Sequence, residues 1–305
     1  MKALYPFQSM EVLSGLFGLT RQGYYKQNQE QTKEVLREDI VLELVKEARK
    51  KLHRFGGRAL LGKIKKDLEA HQIQIGRDAF FNLLARNGLL VKTRKRKVYT
   101  TNSNHWFRKH PNLLVDPFIP TKAGQLWVSD ITYLRVVDRF TYLALVTDAY
   151  SRKIVGYCLS ESLQADLCVK ALNMALANNE ITPGLIHHSD RGLQYCSDKY
   201  VKILNKNSIR ISMTQSGSPY DNALAERVNG IIKNDVLPPV PLISFKDASN
   251  KVDEAINTYN NYKPHSSCNM LTPSQAHQQE GVLKKHWKNY RKKQKENTNT
   301  DLFIN

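Results

Sequence analysis

Three carboxylates, Asp130, Asp190 and Glu226, occur in surroundings that could put them to chemical use. A carboxylate can move a proton or hold a hard cation through its oxygens, and its neighbours decide which. Asp130 falls in WVSDIT, where period-two alternation puts Val128 and Thr132 on its side of a strand. Asp190 closes the apolar run LIHHSD just before Arg191 and Gly192, and open α/β sheets bind ligands outside such strand ends. Glu226 lies in the first turn or two of the helical pattern that follows SGSPYDNA. At about 100° per residue, Asn229, Gly230 and Lys233 fall near Glu226, while Leu224, Val228, Ile231 and Ile232 gather on the far side. With the apolar side packed on a sheet, Glu226 points outward beside an amide, a gap and an ammonium. Such a face suits a phosphate backbone if the other acids lie alongside, although a lone glutamate on an amphipathic helix is ordinarily a solvated one.

Other residues compete for the same roles. Asp148 also ends an apolar strand, but it opens the DAYSR turn, where an acid caps backbone amides, and is read as structural. His187 and His188 alternate faces on one strand, so at most one can point at a site, and packing or DNA contact is expected of them. Cys158, Cys168, Cys196 and Cys268 have no paired short spacing and no histidine at zinc-finger distance, which makes them isolated thiols.

The elements that must position these residues change texture along the chain. The first hundred residues read as helices: 35–52, then a restart after Gly56 and Gly57 with Leu60, Leu61, Ile64 and Leu68 as its apolar side. A third helix runs through Phe80, Leu83 and Leu84 to a C-cap at Gly88. This is a helix-turn-helix-like pattern, or equally a small helical bundle. Residues 98–120 carry prolines without a period and make a linker. Strands are expected at 125–136, 139–150 and 153–160, a helix at 163–178, a strand at 185–190, a helix at 198–207 and a strand at 210–215. That order predicts an α/β fold with a five-stranded mixed sheet and flanking helices, preceded by an all-α region.

Charge divides the chain the same way. The formal net charge is +18 over 305 residues. Residues 1–110 hold 23 Lys and Arg against 10 Asp and Glu, 111–283 hold 16 against 16, and 284–305 hold 7 against 2. Basic ends around a neutral centre suit a protein whose ends grip a polyanion. KTRKRK at 92–97 puts five cations into six residues, a block that repels itself unless a counter-charge is near. The tail KKHWKNYRKKQK (284–295) fits a DNA-tracking helix or a solvated terminus. With 41% hydrophobic residues a real core is affordable. No run approaches the roughly 20 apolar residues a bilayer span needs, and MKALYPFQSM lacks a signal-peptide core, so a cytoplasmic protein without a membrane partner is expected.

Thirty-five residues separate Asp190 from Glu226, and the stretches WVSDIT, HHSDRGLQY and SGSPYDNALAERVNGIIKN resemble, in order, type and spacing, the DDE transposase and retroviral integrase superfamily. VTDAYSRKIVGY resembles that superfamily's second and third strands. YNNYKPHSSCNMLTPSQA (259–276) is similar to the tail motif of bacterial transposases of the insertion-sequence family numbered three, specifically the product of the longer, catalytic reading frame, and GGRALLGKIKKDL with LLARNGLL fits its helix-turn-helix region. GGR stands where many members carry a Tyr-Gly pair, and an aromatic usual near Asn269 and Met270 is missing.

The resemblance implies an RNase H-like catalytic core over 121–283 with C-terminal helices, after a DNA-binding region over 1–97 and before a basic tail over 284–305. It implies two Mg2+ ions, with Mn2+ as a substitute, bridged by Asp130 and completed by Asp190 and Glu226. The partners implied are double-stranded DNA, at element ends and target, and further copies of the chain in the DNA complex; the product of a shorter upstream reading frame is another candidate. Location at the bacterial nucleoid follows. Arg94, Lys95, Arg96, Lys97, Asn229 and Lys233 are the residues expected on phosphates. Water would cleave a phosphodiester at the element's end, and the freed 3′ hydroxyl would attack a second one. Two other readings stay open: an RNase H-like nuclease that only hydrolyses, and a retired transposase acting as a DNA-binding regulator.

Overall fold

A computed structural model describes residues 5–91, 106–114, 118–137, 139–215 and 222–286. Arg94, Lys95, Arg96 and Lys97, part of the 98–120 linker and most of the 284–305 tail lie outside the described residues. Two compact units emerge, one of Met1–Lys50 with Lys63–Leu90, the other of Lys51–Gly62 with Val91–Asn305.

The first unit is helical. Helix α1 (Met10–Gly15) starts at Ser9, whose hydroxyl accepts from the Val12 amide at 3.2 Å. Helix α2 (Arg21–Lys51) begins well before residue 35, where apolar periodicity becomes readable. Residues 25–37 are all exposed, so no buried stripe marks that half of the helix in the sequence. Val41, Val45 and Ala48 of α2 are buried, as are Ile64 and Leu68 of α3 (Gly57–Ala70) and Phe80, Leu83 and Leu84 of α4 (Arg77–Arg86). Gly88 adopts φ +65°, and the Leu89 amide donates to the Leu84 carbonyl at 2.7 Å, a C-terminal lock that only a residue at ease with positive φ closes cheaply.

The second unit is built on β1 (Leu126–Val136), β2 (Arg139–Asp148), β3 (Ile154–Ser160), β4 (Ile186–Ser189) and β5 (Arg210–Met213). Spatial order is β3-β2-β1-β4-β5, with β1–β2 and β2–β3 antiparallel and β1–β4 and β4–β5 parallel. Hairpin loops are too short to return a chain parallel, so the parallel pairs are reached through α5 (Ala165–Asn178), and through α6 (Leu193–Cys196) with α7 (Asp198–Lys206). These helices cover one face, where Trp127, Val146, Leu172, Tyr195, Tyr200 and Met213 belong to one buried cluster. On the other face Leu126, Val128, Ala149 and Ile186 pack with Ala225 of α8 (Ala223–Ile231). Strand alternation therefore sends Trp127 and Ser129 toward α7, and Val128 and Asp130 toward α8.

Beyond α8 the chain widens into one π-helical turn (Ile232–Val236) before α9 (Phe245–Tyr262) and α10 (Pro273–His277). A Thr272–Gln275 capping box with Pro273 at the first helical position starts α10. Among the described residues, no helix is long and apolar enough to cross a membrane.

Candidate active site

β1 is where sheet polarity reverses, antiparallel to β2 and parallel to β4. Its register with β4 pairs Trp127 with His187 and Val128 with His188. Carried two residues further, that register sets Asp130 beside Asp190 on the same face, with adjacent strands about 4.8 Å apart. Asp190 turns out of the strand end, and its Oδ1 accepts from the Gly192 amide at 2.9 Å. A Cβ on Gly192 would sit 2.9 Å from that oxygen, so glycine keeps this turn open.

Two asparagines hold α8 against β1. Asn222 Nδ2 donates to the Ser129 carbonyl at 3.0 Å, and Asn229 Nδ2 donates to Asp130 Oδ2 at 2.8 Å. Seven residues apart, they share one face of the helix two turns from each other. Glu226 lies between them and is exposed.

The Asp130 carboxyl is pushed up to about 7, first by burial, then by the charge of Asp190 and more weakly by Glu226, against the lowering effect of the Asn229 and Ile131 hydrogen bonds. The three acids thus share one electrostatic neighbourhood. Carboxylates brought together with neutral amides for support lack positive charge, and oxygen donors of this kind suit a hard divalent cation. Among the described residues no group of three or more His, Cys, Asp and Glu is close enough together to hold a metal ion.

Two sequence expectations change on this geometry. Wheel counting put Asn229 on the outward face, whereas it is 4% exposed and bonded to Asp130. Its angular position borders the stripe of Ala225, Val228 and Ile232, and packing on β1 takes the borderline residue inward. Lys233 is exposed but belongs to the π turn, so it does not continue the α-helical wheel of Glu226. Asn222 was missed; the i, i+7 repeat of asparagine around Glu226 was the available signal.

The competitors are absorbed by the framework. Asp148 is buried, its Oδ2 accepting from the Gly124 amide at 2.8 Å and its Oδ1 from the Ser151 amide at 2.8 Å and hydroxyl at 2.7 Å, the turn-capping role expected of it. His187 and His188 point to opposite faces and both are buried. His187 Nε2 bonds the Ser129 and Tyr200 hydroxyls, and burial pushes its ring down to about 3, so it stays neutral; His188 Nδ1 meets Ser212 Oγ at 2.8 Å. All four cysteines are free thiols.

A sheet with two antiparallel and two parallel pairings, acids at its polarity switch and a helix-borne glutamate define an RNase H-like integrase core. Models of the integrase core domain match residues 120–219 and 207–273. The uncharacterized 31 kDa protein of insertion element IS600 from Shigella sonnei is 35% identical over 262 residues, 85% of this chain and 95% of that protein. Transposase InsF of insertion sequence IS3A from Escherichia coli is 35% identical over 193 residues, 63% of this chain and 67% of that one. The chain belongs to the IS3 family of insertion-sequence transposases: it is an enzyme of the polynucleotidyl-transferase type that cleaves and joins DNA.

Proposed function

We propose that Asp130, Asp190 and Glu226 are the catalytic carboxylates, holding two divalent ions, Mg2+ or Mn2+, at the β1–β4–α8 junction. The observation that carries this is Asp130 itself, a carboxyl held near neutrality by burial and two acidic neighbours, with Asn229 as its amide donor. When bound, the ions would activate the attacking oxygen and stabilise the departing 3′ oxygen of a phosphodiester. Asp130, on the central strand, would be the ligand common to both ions, with Asp190 from a strand end and Glu226 from a helix contributing the other oxygens. Asn222 and Asn229 keep the glutamate's helix in register with the aspartate's strand. Exposed Lys233, in the π turn that follows α8, would supply a cation for phosphate.

On this reading, residues 1–97 recognise element ends through the α3–α4 pair, Arg94, Lys95, Arg96 and Lys97 add salt-sensitive grip, and 121–283 carries the chemistry. Holding two DNA ends at once calls for more than one copy of the chain, and the product of a shorter upstream frame is a candidate partner for end recognition.

The test is a joining assay with a labelled element-end duplex and a target duplex. Wild type should form joined products with Mg2+ or Mn2+ and none in EDTA. Asp190→Asn should lose them by at least about a hundredfold while its thermal midpoint holds. Joined products from Asp190→Asn at the wild-type rate would overturn the assignment, and cleavage without joining would favour a purely hydrolytic nuclease.

A further inference from the structure

The segment Lys51–Gly62 joins two stretches of the helical unit along the chain, yet it belongs to the compact unit built on the sheet. Its apolar residues are buried: Leu52 and Phe55 are each 1% exposed and Leu60 is fully covered. The Phe55 amide donates to the Leu52 carbonyl at 2.9 Å, which turns the chain just past the end of α2.

Two elements of the catalytic unit receive this segment. The first is the end of α9. Lys51 Nζ lies 5.1 Å from the Tyr262 ring centre and Lys263 Nζ lies 5.6 Å from the Phe55 ring centre, a reciprocal pair of cation–aromatic contacts between the same two stretches. A Cβ on Gly62 would come within 2.9 Å of Met270 Cε, so the start of α3 lies against the loop that follows α9. That end of α9 is itself fixed to the sheet. Asn260 Oδ1 accepts from the Ile154 amide at 2.9 Å, its Nδ2 donates to the Ile154 carbonyl at 3.0 Å, and the Tyr259 hydroxyl donates to the Arg152 carbonyl at 3.0 Å. The motif YNNYKPHSSCNMLTPSQA, which the chemistry above does not use, thus supplies a seat for the segment.

The second element is the continuation of α8. Arg54 Nε lies 3.8 Å from Asp235 Oδ1, an ion pair whose side chains are 21% and 28% exposed. Asp235 belongs to the π turn Ile232–Val236, which follows α8 without a break, and Asn234 Nδ2 donates to the Gly230 carbonyl at 2.9 Å across the junction. Glu226 precedes Asp235 by nine residues, about 13 Å along the helix axis. Asn222 and Asn229 tie α8 to β1 at its start and along its length, and Arg54 holds its far end. A π turn interrupts the 3.6-residue phase, so the orientation of that last turn depends on what it is bonded to. An ion pair this open adds little to global stability, so its effect lies in placement.

We propose that Arg54 is a positioning residue for the reaction: through Asp235 it holds the far end of the helix that carries Glu226, so that the segment between α2 and α3 helps set the glutamate's place beside Asp130. This rests on the catalytic reading above.

Hydrogen exchange of the full chain in EDTA, followed by mass spectrometry of its peptides, reads the hold without metal, DNA or turnover. Arg54→Gln should speed exchange over residues 231–237 by about 5–10-fold, with α9 and the thermal midpoint unchanged. Asp235→Asn should do the same, the double variant should exchange no faster than either, and Arg54→Lys should keep wild-type exchange. In single-turnover cleavage of a labelled element-end duplex, Arg54→Gln should slow the step at saturating DNA by about 5–10-fold and leave the duplex Kd in EDTA unchanged. Unaltered exchange, or effects of Arg54→Gln and Asp235→Asn that add, would overturn the proposal. Faster exchange that spreads to α9 with a lowered midpoint would make Arg54 a packing residue, and faster exchange with wild-type cleavage would remove it from the reaction; either result overturns the positioning role. Exchange is read apart from the Asp190 assay, so failure of the hold and failure of the catalytic carboxylates are told apart.

Discussion

Asp130 joins charge, protonation and chemistry in one side chain. Its folded carboxyl sits at about 7 against an ordinary 3.8. Between those values the folded chain binds a proton that the unfolded chain does not, so this group adds stability at low pH that is lost as pH rises through about 7. The metal-free protein should therefore gain on the order of 1 kcal/mol from this group between pH 8 and pH 5, a gain that Asp130→Asn abolishes in denaturant titrations. At pH 8, added Mg2+ should recover stability by pairing with the ionised form. Asn229→Ala removes a donor that favours the charged carboxylate. The acid limb of the pH–rate profile should then move upward, and metal affinity should fall by about 10–100-fold, measured by Mg2+ titration of activity. Without a shifted acid limb, Asn229 would be a packing residue only.

At the level of elements, the sheet depends on how closely α5 lies against β3. Gly156 in β3 faces α5 so tightly that a Cβ there would strike the Ala171 carbonyl oxygen and come within 2.7 Å of the Ala175 amide nitrogen. Both are backbone atoms of one helix, so no side-chain rotation relieves them. Gly156→Ala should cost about 1–3 kcal/mol in chemical denaturation, more than Gly230→Ala on α8, where nothing lies within 4 Å of the added carbon. The strands were legible because β-branched and aromatic runs bounded by turn residues have few alternatives: β1, β2 and β3 fall within a residue or two of their expected spans. The first half of α2 was not, because a helix exposed all round has no apolar stripe to read. The π turn at Ile232–Val236 was hidden too, since wheel counting assumes an unbroken 3.6-residue period.

Across the whole molecule, charge is segregated by sequence position, with basic ends around a neutral catalytic centre. Replacing the four residues Arg94, Lys95, Arg96 and Lys97 by Gln should weaken binding to any duplex. The salt slope should drop by as much as about 3 to 4 units, with cleavage at saturating DNA preserved. A slope that does not move would remove this run from the DNA interface.

Residue types and their order were enough to establish the family and the sheet, because β-branched and aromatic runs with their flanking turns leave a readable text. Which groups support the three acids was decided only by tertiary structure. The inward turn of Asn229 onto Asp130 and the tie from Asn222 to the Ser129 carbonyl join residues 99 and 93 positions apart. Helical phase and strand alternation describe one element at a time. Burial, hydrogen bonding and electrostatic coupling arise when elements meet, so they appear only once the chain has packed.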